Sequence, residues 1–146
     1  MRRVLAAVGF ALCLAAVWGG PAAAKDTKLT ILLDGRPLDA KSPTGVVHDG
    51  RSFIDIVRGT KAFSGLLTFT AKDRAATVSV RSHAGRFAIG SRSGSLDGQP
   101  VTWEAASFSL NGDFFVPLSG FARVAGVGLK VDTQHHVAHL TTTNQE

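Results

Sequence analysis

Downstream of residue 25, apolar and polar residues alternate with a period of two over most of the chain, and the alternation is interrupted by Asp-Gly or Asn-Gly pairs. Residues 29–33 form a short β-prone run that ends at Asp34-Gly35, a favoured two-residue hairpin signal. Residues 46–48 and 52–55 flank Asp49-Gly50 in the same way, and residues 108–110 and 114–116 flank Asn111-Gly112. The period then lengthens to about three and a half, placing Leu118, Phe121, Val124 and Ala125 on one face of a short helix. Pro117 marks its start, and Gly126 and Gly128 mark its end. Two further hairpins follow from the alternation, 67–70 with 76–80 and 129–132 with 138–142.

The pattern occurs twice. Asp34-Gly35-Arg36-Pro37-Leu38 matches Asp97-Gly98-Gln99-Pro100-Val101. Beyond it, Asp49-Gly50 aligns with Asn111-Gly112, Phe53-Ile54 with Phe115-Val116, Ile56 with Leu118, and Val78 with Leu140. The helical stretch of the first half carries Ile56, Gly59, Ala62 and Phe63, so each helix holds one Phe on this face, displaced by one turn between halves. Such an exchange is expected where one volume is filled in two ways. Short helices bury little by themselves and need a sheet for stability. The expected fold is therefore α+β and mostly antiparallel β: two tandem copies of a small twisted sheet, each wrapped around one short helix, packed together. The first copy spans 25–84, the second and more regular one 85–142, with 143–146 as a tail; residues 86–90 add a strand between them.

Residues 1–24 read as a cleavable secretory signal. Arg2 and Arg3 are followed by an apolar run over 4–18, about 15 residues and too short to span a bilayer, then Gly19-Gly20-Pro21 and the small-residue site Ala22-Ala23-Ala24. The product is expected outside the cytoplasm, periplasmic or secreted or at the cell surface, without a stable membrane anchor after cleavage. Cys13 is the only cysteine and lies in that leader, so disulfides, thiol catalysis and thiolate metal sites are not expected beyond it. The formal charge of +5 includes Arg2 and Arg3, leaving +3 with no run of four basic residues. That distribution gives no nucleic-acid footprint.

The stretch Asn111-Gly112-Asp113-Phe114-Phe115-Val116-Pro117-Leu118, with the helix ending at Gly126, resembles the copper amine oxidase N-terminal-domain-like family. Ile89-Gly90-Ser91, Leu96-Asp97-Gly98, the Val131-Asp132 hairpin entry and Ala138-His139-Leu140 extend the resemblance over most of the chain. The first half follows it more loosely, with Asp55 in place of the Pro and His48 in place of the apolar residue at Leu110. The resemblance implies an extracytoplasmic stalk module of strands around a helix, with neither the copper histidines nor the topaquinone tyrosine of the catalytic domain. The chain contains no tyrosine, so that cofactor cannot be made from it.

His135, His136 and His139 form the densest polar feature and are the candidate metal ligands, although two imidazoles on one strand face could share a metal only if bent together by the turn. A solvated hairpin tip accounts for the same spacing. His48 occupies an aligned apolar position and is either a pH-sensitive core group or an edge histidine. Gly126-x-Gly128 follows a helix and precedes a strand, the reverse of a dinucleotide loop. Residues 91–95 lack the order of a nucleophile elbow. Glu104 is isolated, and Trp103 is the one tryptophan beyond the leader, which disfavours a stacking face for sugars. No catalytic constellation and no cofactor are expected. The expected function is a non-catalytic envelope module that binds a protein or cell-wall polymer through a sheet face or edge. A small metal or ligand carrier using the 135–139 hairpin is the alternative.

Overall fold

The computed structural model describes residues 26–38 and 44–142. The leader read at 1–24 and the tail at 143–146 lie outside the described residues. The chain runs β1 (Thr27–Leu33), β2 (Arg36–Pro37), β3 (Gly45–His48), β4 (Arg51–Asp55), α1 (Ile56–Ala62), β5 (Leu66–Thr70), β6 (Ala75–Val80) and β7 (His83–Ala88). It continues with β8 (Ser91–Leu96), β9 (Gln99–Thr102), β10 (Phe108–Leu110), β11 (Asp113–Pro117), α2 (Leu118–Ala125), β12 (Val127–Asp132) and β13 (Val137–Thr142). The four Asp-Gly and Asn-Gly pairs turn four of the hairpins, β1–β2, β3–β4, β8–β9 and β10–β11. Both residues of each have positive φ, from Asp34 at 50° with Gly35 at 85° to Asn111 at 53° with Gly112 at 86°. This is the mirror-image turn whose twist matches the strands it joins.

The strands form two sheets. One is an antiparallel meander in the order β9-β8-β7-β6-β5. The other has eight strands in the order β10-β11-β4-β3-β1-β13-β12, with β2 also paired to β1. Its β1–β13 contact is parallel, with Thr30 beside Val137 and Leu33 beside Leu140. The architecture is thus α+β and mostly antiparallel. The sheets are not distributed one to each half, however, as the sequence pattern suggested. Strands β1–β4 share a sheet with β10–β13, and β7 runs through the 84–85 boundary. The join is β4 against β11, with Ile54 opposite Val116, Phe53 opposite Pro117 and Asp55 opposite Phe115.

Both helices leave from this join and lie between the sheets. Helix α1 packs on β4, β5, β6 and β11, and α2 on β4, β6, β7, β11 and β12. The core is consequently shared: Ile54, Ile56, Val78, Phe87, Val116, Leu118, Phe121, Val124 and Leu140 are all fully buried in one cluster. The physical reason is helix length. Seven or eight residues offer one narrow apolar stripe, and placing both helices between two sheets buries more of each. Leu118, Phe121, Val124 and Ala125 are all buried, as the helical period predicts, and Gly126 closes α2 in the left-handed region at φ 71°. Gly128 does not take part in that cap; it lies inside β12.

The Phe exchange has a geometric cause. Gly59 of α1 faces Phe121 of α2, and a Cβ at Gly59 would stand 3.0 Å from Phe121 Cζ and 2.9 Å from Ile54 Cδ1. These two positions cannot both be large. Phe63, half-buried, instead packs its ring beside Phe121 at 5.7 Å between centroids. Trp103 fills the core near β8. Its ring stacks on Phe87 at 4.5 Å, and its Nε1–H donates to the Arg86 carbonyl at 2.9 Å. Gly94 leaves the space for it, since a Cβ there would collide with Trp103 Nε1 and with the Arg86 carbonyl.

Two substitutions test this packing by chemical denaturation. Phe63→Ala is expected to cost about 1–3 kcal/mol, below the range for a fully buried Phe. Gly94→Ala is expected to cost about 1–3 kcal/mol by overpacking, because the carbonyl it meets is backbone and cannot swing away. Unchanged stability in either variant would remove that residue from the core as described.

Candidate binding surface

The histidine hairpin is tied together by an aspartate. Asp132 Oδ1 accepts from the Gln134 and His135 backbone N–H groups, each at 3.1 Å, and Oδ2 lies 2.8 Å from His135 Nδ1. His136 closes the turn at φ 55°. His139 stands exposed on β13, directly across from Lys130. Among the described residues, no group of three or more His, Cys, Asp or Glu side chains is placed to hold a metal ion. The two other described histidines stand apart with their own carboxylates. His83 Nδ1 is 2.8 Å from Asp97 Oδ2, and His48 Nδ1 is 2.6 Å from Asp26 Oδ1.

The residues of the 111–126 motif set the path of the chain. Asn111 and Gly112 form the turn, and Val116 sits opposite Ile54. Pro117 precedes the first turn of α2 at φ −58°, Leu118 is the first core residue of the helix, and Gly126 ends it. At the place of Pro117, the first half has Asp55, which works differently. Its carboxylate caps α1, accepting from Val57 N–H at 2.9 Å and Arg58 N–H at 3.4 Å. Burial pushes the Asp55 carboxyl up from the usual range, against those two amides and with Asp113 adding repulsion. That capping role was open to sequence reading, because Asp directly before an apolar helical stretch is a start signal.

His48 is partly buried at a sheet surface, inside an aromatic group. Its ring stacks on Phe108 at 4.3 Å and meets the edge of Phe53 at 5.9 Å, while Phe108 in turn stacks near Phe115 at 5.4 Å. Phe53, Ala105 and Phe115 form a second small core there, separate from the shared one. Trp103 is 1% exposed and offers no stacking face.

The large exposed apolar side chains among the described residues are Val57 on α1 and, together on one strand, Leu66 and Phe69 of β5. This edge strand of the meander reads Leu66-Leu67-Thr68-Phe69-Thr70, without a charge or a proline. Leu66 is 74% and Phe69 53% exposed. Leu67 points inward and packs against the core, and Phe69, on the same strand face, overhangs a groove between the sheets. Its ring lies 5.9 Å from that of Phe114. Thr70, Arg74, Ile89 and Ser109 line the rest of this groove, and Ser109 belongs to β10, itself an edge strand of the other sheet. Among the described residues the other edges are guarded: β9 contains Pro100, β12 contains Lys130, β10 is three residues long, and β2 is only Arg36-Pro37.

The sequence model of the copper amine oxidase N-terminal domain matches residues 32–140. The chain belongs to this family. The match is one span, from within β1 to within β13, and so covers both halves and the core they share. The family is a non-catalytic domain. No curated protein and no solved structure matches the chain. Within the family domain, Asp34 ties the β1–β2 turn to the end of β13. Its carboxylate accepts from Thr142 N–H at 2.9 Å and from Thr142 Oγ1–H at 2.7 Å.

Those two bonds hold the Asp34 carboxyl below its ordinary value of 3.8, and contact with His83 and His135 does the same for Asp97 and Asp132. A carboxyl lowered in the folded state adds stability above its unfolded value and loses it as pH falls through the folded one. Asp34→Asn, which keeps a residue suited to the positive φ of this turn, is therefore expected to lower the melting temperature at neutral pH, with the difference narrowing as pH falls below the ordinary aspartate range. A pH-independent difference would show that the carboxylate charge is not what holds Thr142.

Proposed function

We propose that this domain is an exported, non-catalytic module of the cell envelope that binds a protein or a cell-wall polymer. The observation that carries the reading is β5, an uncharged edge strand with two exposed apolar side chains in a protein whose other described edges are short, charged or interrupted by proline. Membership of a non-catalytic family supports it. The leader pattern at 1–24 supports export to the periplasm or cell surface, and the scattered basic residues speak against nucleic acid as the partner. Among the described residues no helix is long and apolar enough to cross a membrane.

The domain is further read as an internal duplication. What supports this is a common offset: Ile54 pairs with Val116, Gly59 packs on Phe121, and β4 and β11 each run directly into a helix, all 62 positions apart. Aligned residues meeting each other across an antiparallel join is the arrangement two copies related by an approximate two-fold axis would adopt. A metal carrier built on His135, His136 and His139 is the competing reading; among the described residues no group of three or more His, Cys, Asp or Glu side chains gathers there to favour it.

Crosslinking capture from the native envelope fraction separates the two. The chain is expected to enrich one protein or wall fragment, insensitive to chelators, relative to a bait whose β5 residues are scrambled. Recovery of the same background by both baits would overturn the binding-module reading. Capture or melting behaviour that depends on added zinc or copper would transfer the function to the hairpin.

A further inference from the structure

We infer that β5 receives an extended segment of a partner protein that is apolar at alternate positions and acidic at one end, adding as a sixth strand to the meander with its carboxylate beside Arg74. This rests on the binding-module reading above and specifies the chemistry of the partner. Strand addition uses the main-chain groups of an open edge for affinity and side-chain pockets for register. Both are present here. The edge is five residues long with nothing in its sequence to block pairing. Phe69 and Phe114 wall a groove into which an alternate side chain of the added strand would fit.

The sign of the partner follows from the surrounding charges. Arg74 is the one charged side chain lining the groove, and its guanidinium has no ion pair among the described residues. The neighbouring Asp73 is already engaged, 3.1 Å from Arg86. The same turn carries Lys72, and Lys61 lies in the last turn of α1, shortly before β5 begins. Both ends of the strand are thus positive.

That distribution also selects against a second copy of this chain. Antiparallel self-addition centred on Thr68 would pair Leu66 of each copy with Thr70 of the other, bringing the turn that carries Lys72 and Arg74 in each copy toward the end of the other's strand that follows Lys61. Two like-charge approaches would result. An acidic segment meets the opposite situation at the Arg74 end.

The test uses the full chain and three labelled probe peptides, read by fluorescence anisotropy and by hydrogen exchange at the β5 amides. The first is Asp-Asp-Thr-Val-Thr-Val-Thr-Val-Thr, the second replaces both Asp by Lys, and the third replaces the central Val by Pro. The acidic peptide is expected to bind and to slow exchange in β5. The lysine peptide should bind about threefold more weakly or worse, the size of effect an exposed ion pair supports, and the proline peptide should not bind. Arg74→Glu should invert the preference between the two charged peptides, an outcome that mere loss of structure cannot produce. Leu66→Lys with Phe69→Lys should reduce binding roughly tenfold or more by guarding the edge, with the melting temperature unchanged. Equal binding of all three peptides, unprotected β5 amides, or an order that survives Arg74→Glu would overturn the inference. So would a dimer in sedimentation that Leu66→Lys dissociates, which would give the edge to a second copy. If envelope capture yields a partner that the double lysine variant still binds, β5 is not the site although the module reading stands; if capture fails as well, both fall.

Discussion

The structure depends on the antiparallel contact between β4 and β11. Each strand runs without a linker into a helix, Asp55 into α1 and Pro117 into α2, so the contact fixes where both helices start as well as which strands are neighbours. Because the strands are antiparallel, the helices depart in opposite senses onto the same inner face, carrying Ile56 and Leu118 into one core. A chain of this size, whose only cysteine is Cys13 and which therefore has no internal disulfide, has little apolar area to divide. Two cores, each over a single short helix, would leave much of that area wet. One core under two composite sheets does not.

The two sides of this join are filled differently. Residues 62 positions apart meet across it, and two large side chains at one such place would collide. Gly59 beneath Phe121 is the clearest case, with Phe63 supplying the ring volume one turn further along α1. The helix starts differ as well. Pro117 restricts φ at the entry to α2, whereas Asp55 satisfies amides of α1 with a carboxylate that burial makes costly to ionise. That cost acts opposite to Asp34, Asp97 and Asp132. The Asp55 contribution is greatest at low pH and is lost as pH rises through its elevated folded value, while theirs is present at neutral pH and lost in acid.

What could be read from the sequence was local. Asp34-Gly35, Asp49-Gly50, Asp97-Gly98 and Asn111-Gly112 each favour one turn geometry through their own φ preferences, so the hairpins follow from adjacent residues alone. The helix face of α2 follows equally from a period within one element. Sheet membership does not. The alternation in β4 says that Ile54 and Phe53 face opposite sides, but is silent on whether the neighbour is a strand of the same half or β11. The parallel contact of β1 with β13 joins the ends of the domain, and no short-range pattern announces it. The histidines were legible only as a spacing. Their spacing drew attention to His135, His136 and His139 as a set, whereas the fold gives His135, His83 and His48 each an aspartate of its own.

The open edge of β5 is not something the fold requires. The strand that follows α2 occupies the corresponding place 62 positions later, and β12 has Lys130 where β5 has Thr68, and Asp132 where β5 has Thr70. Both strands border a sheet and both follow a helix of the shared core. Charged residues are therefore compatible with this position, and in β12 they guard an edge. Phe69 likewise answers to Val131, so the first half carries the larger apolar group at the more exposed place. A strand that folding would allow to be charged, yet is uncharged, aromatic and exposed, bears a risk of edge-to-edge association. Positive residues near both of its ends limit that risk for pairing between copies while leaving it open to an acidic strand, which places the selectivity of the surface outside the strand itself.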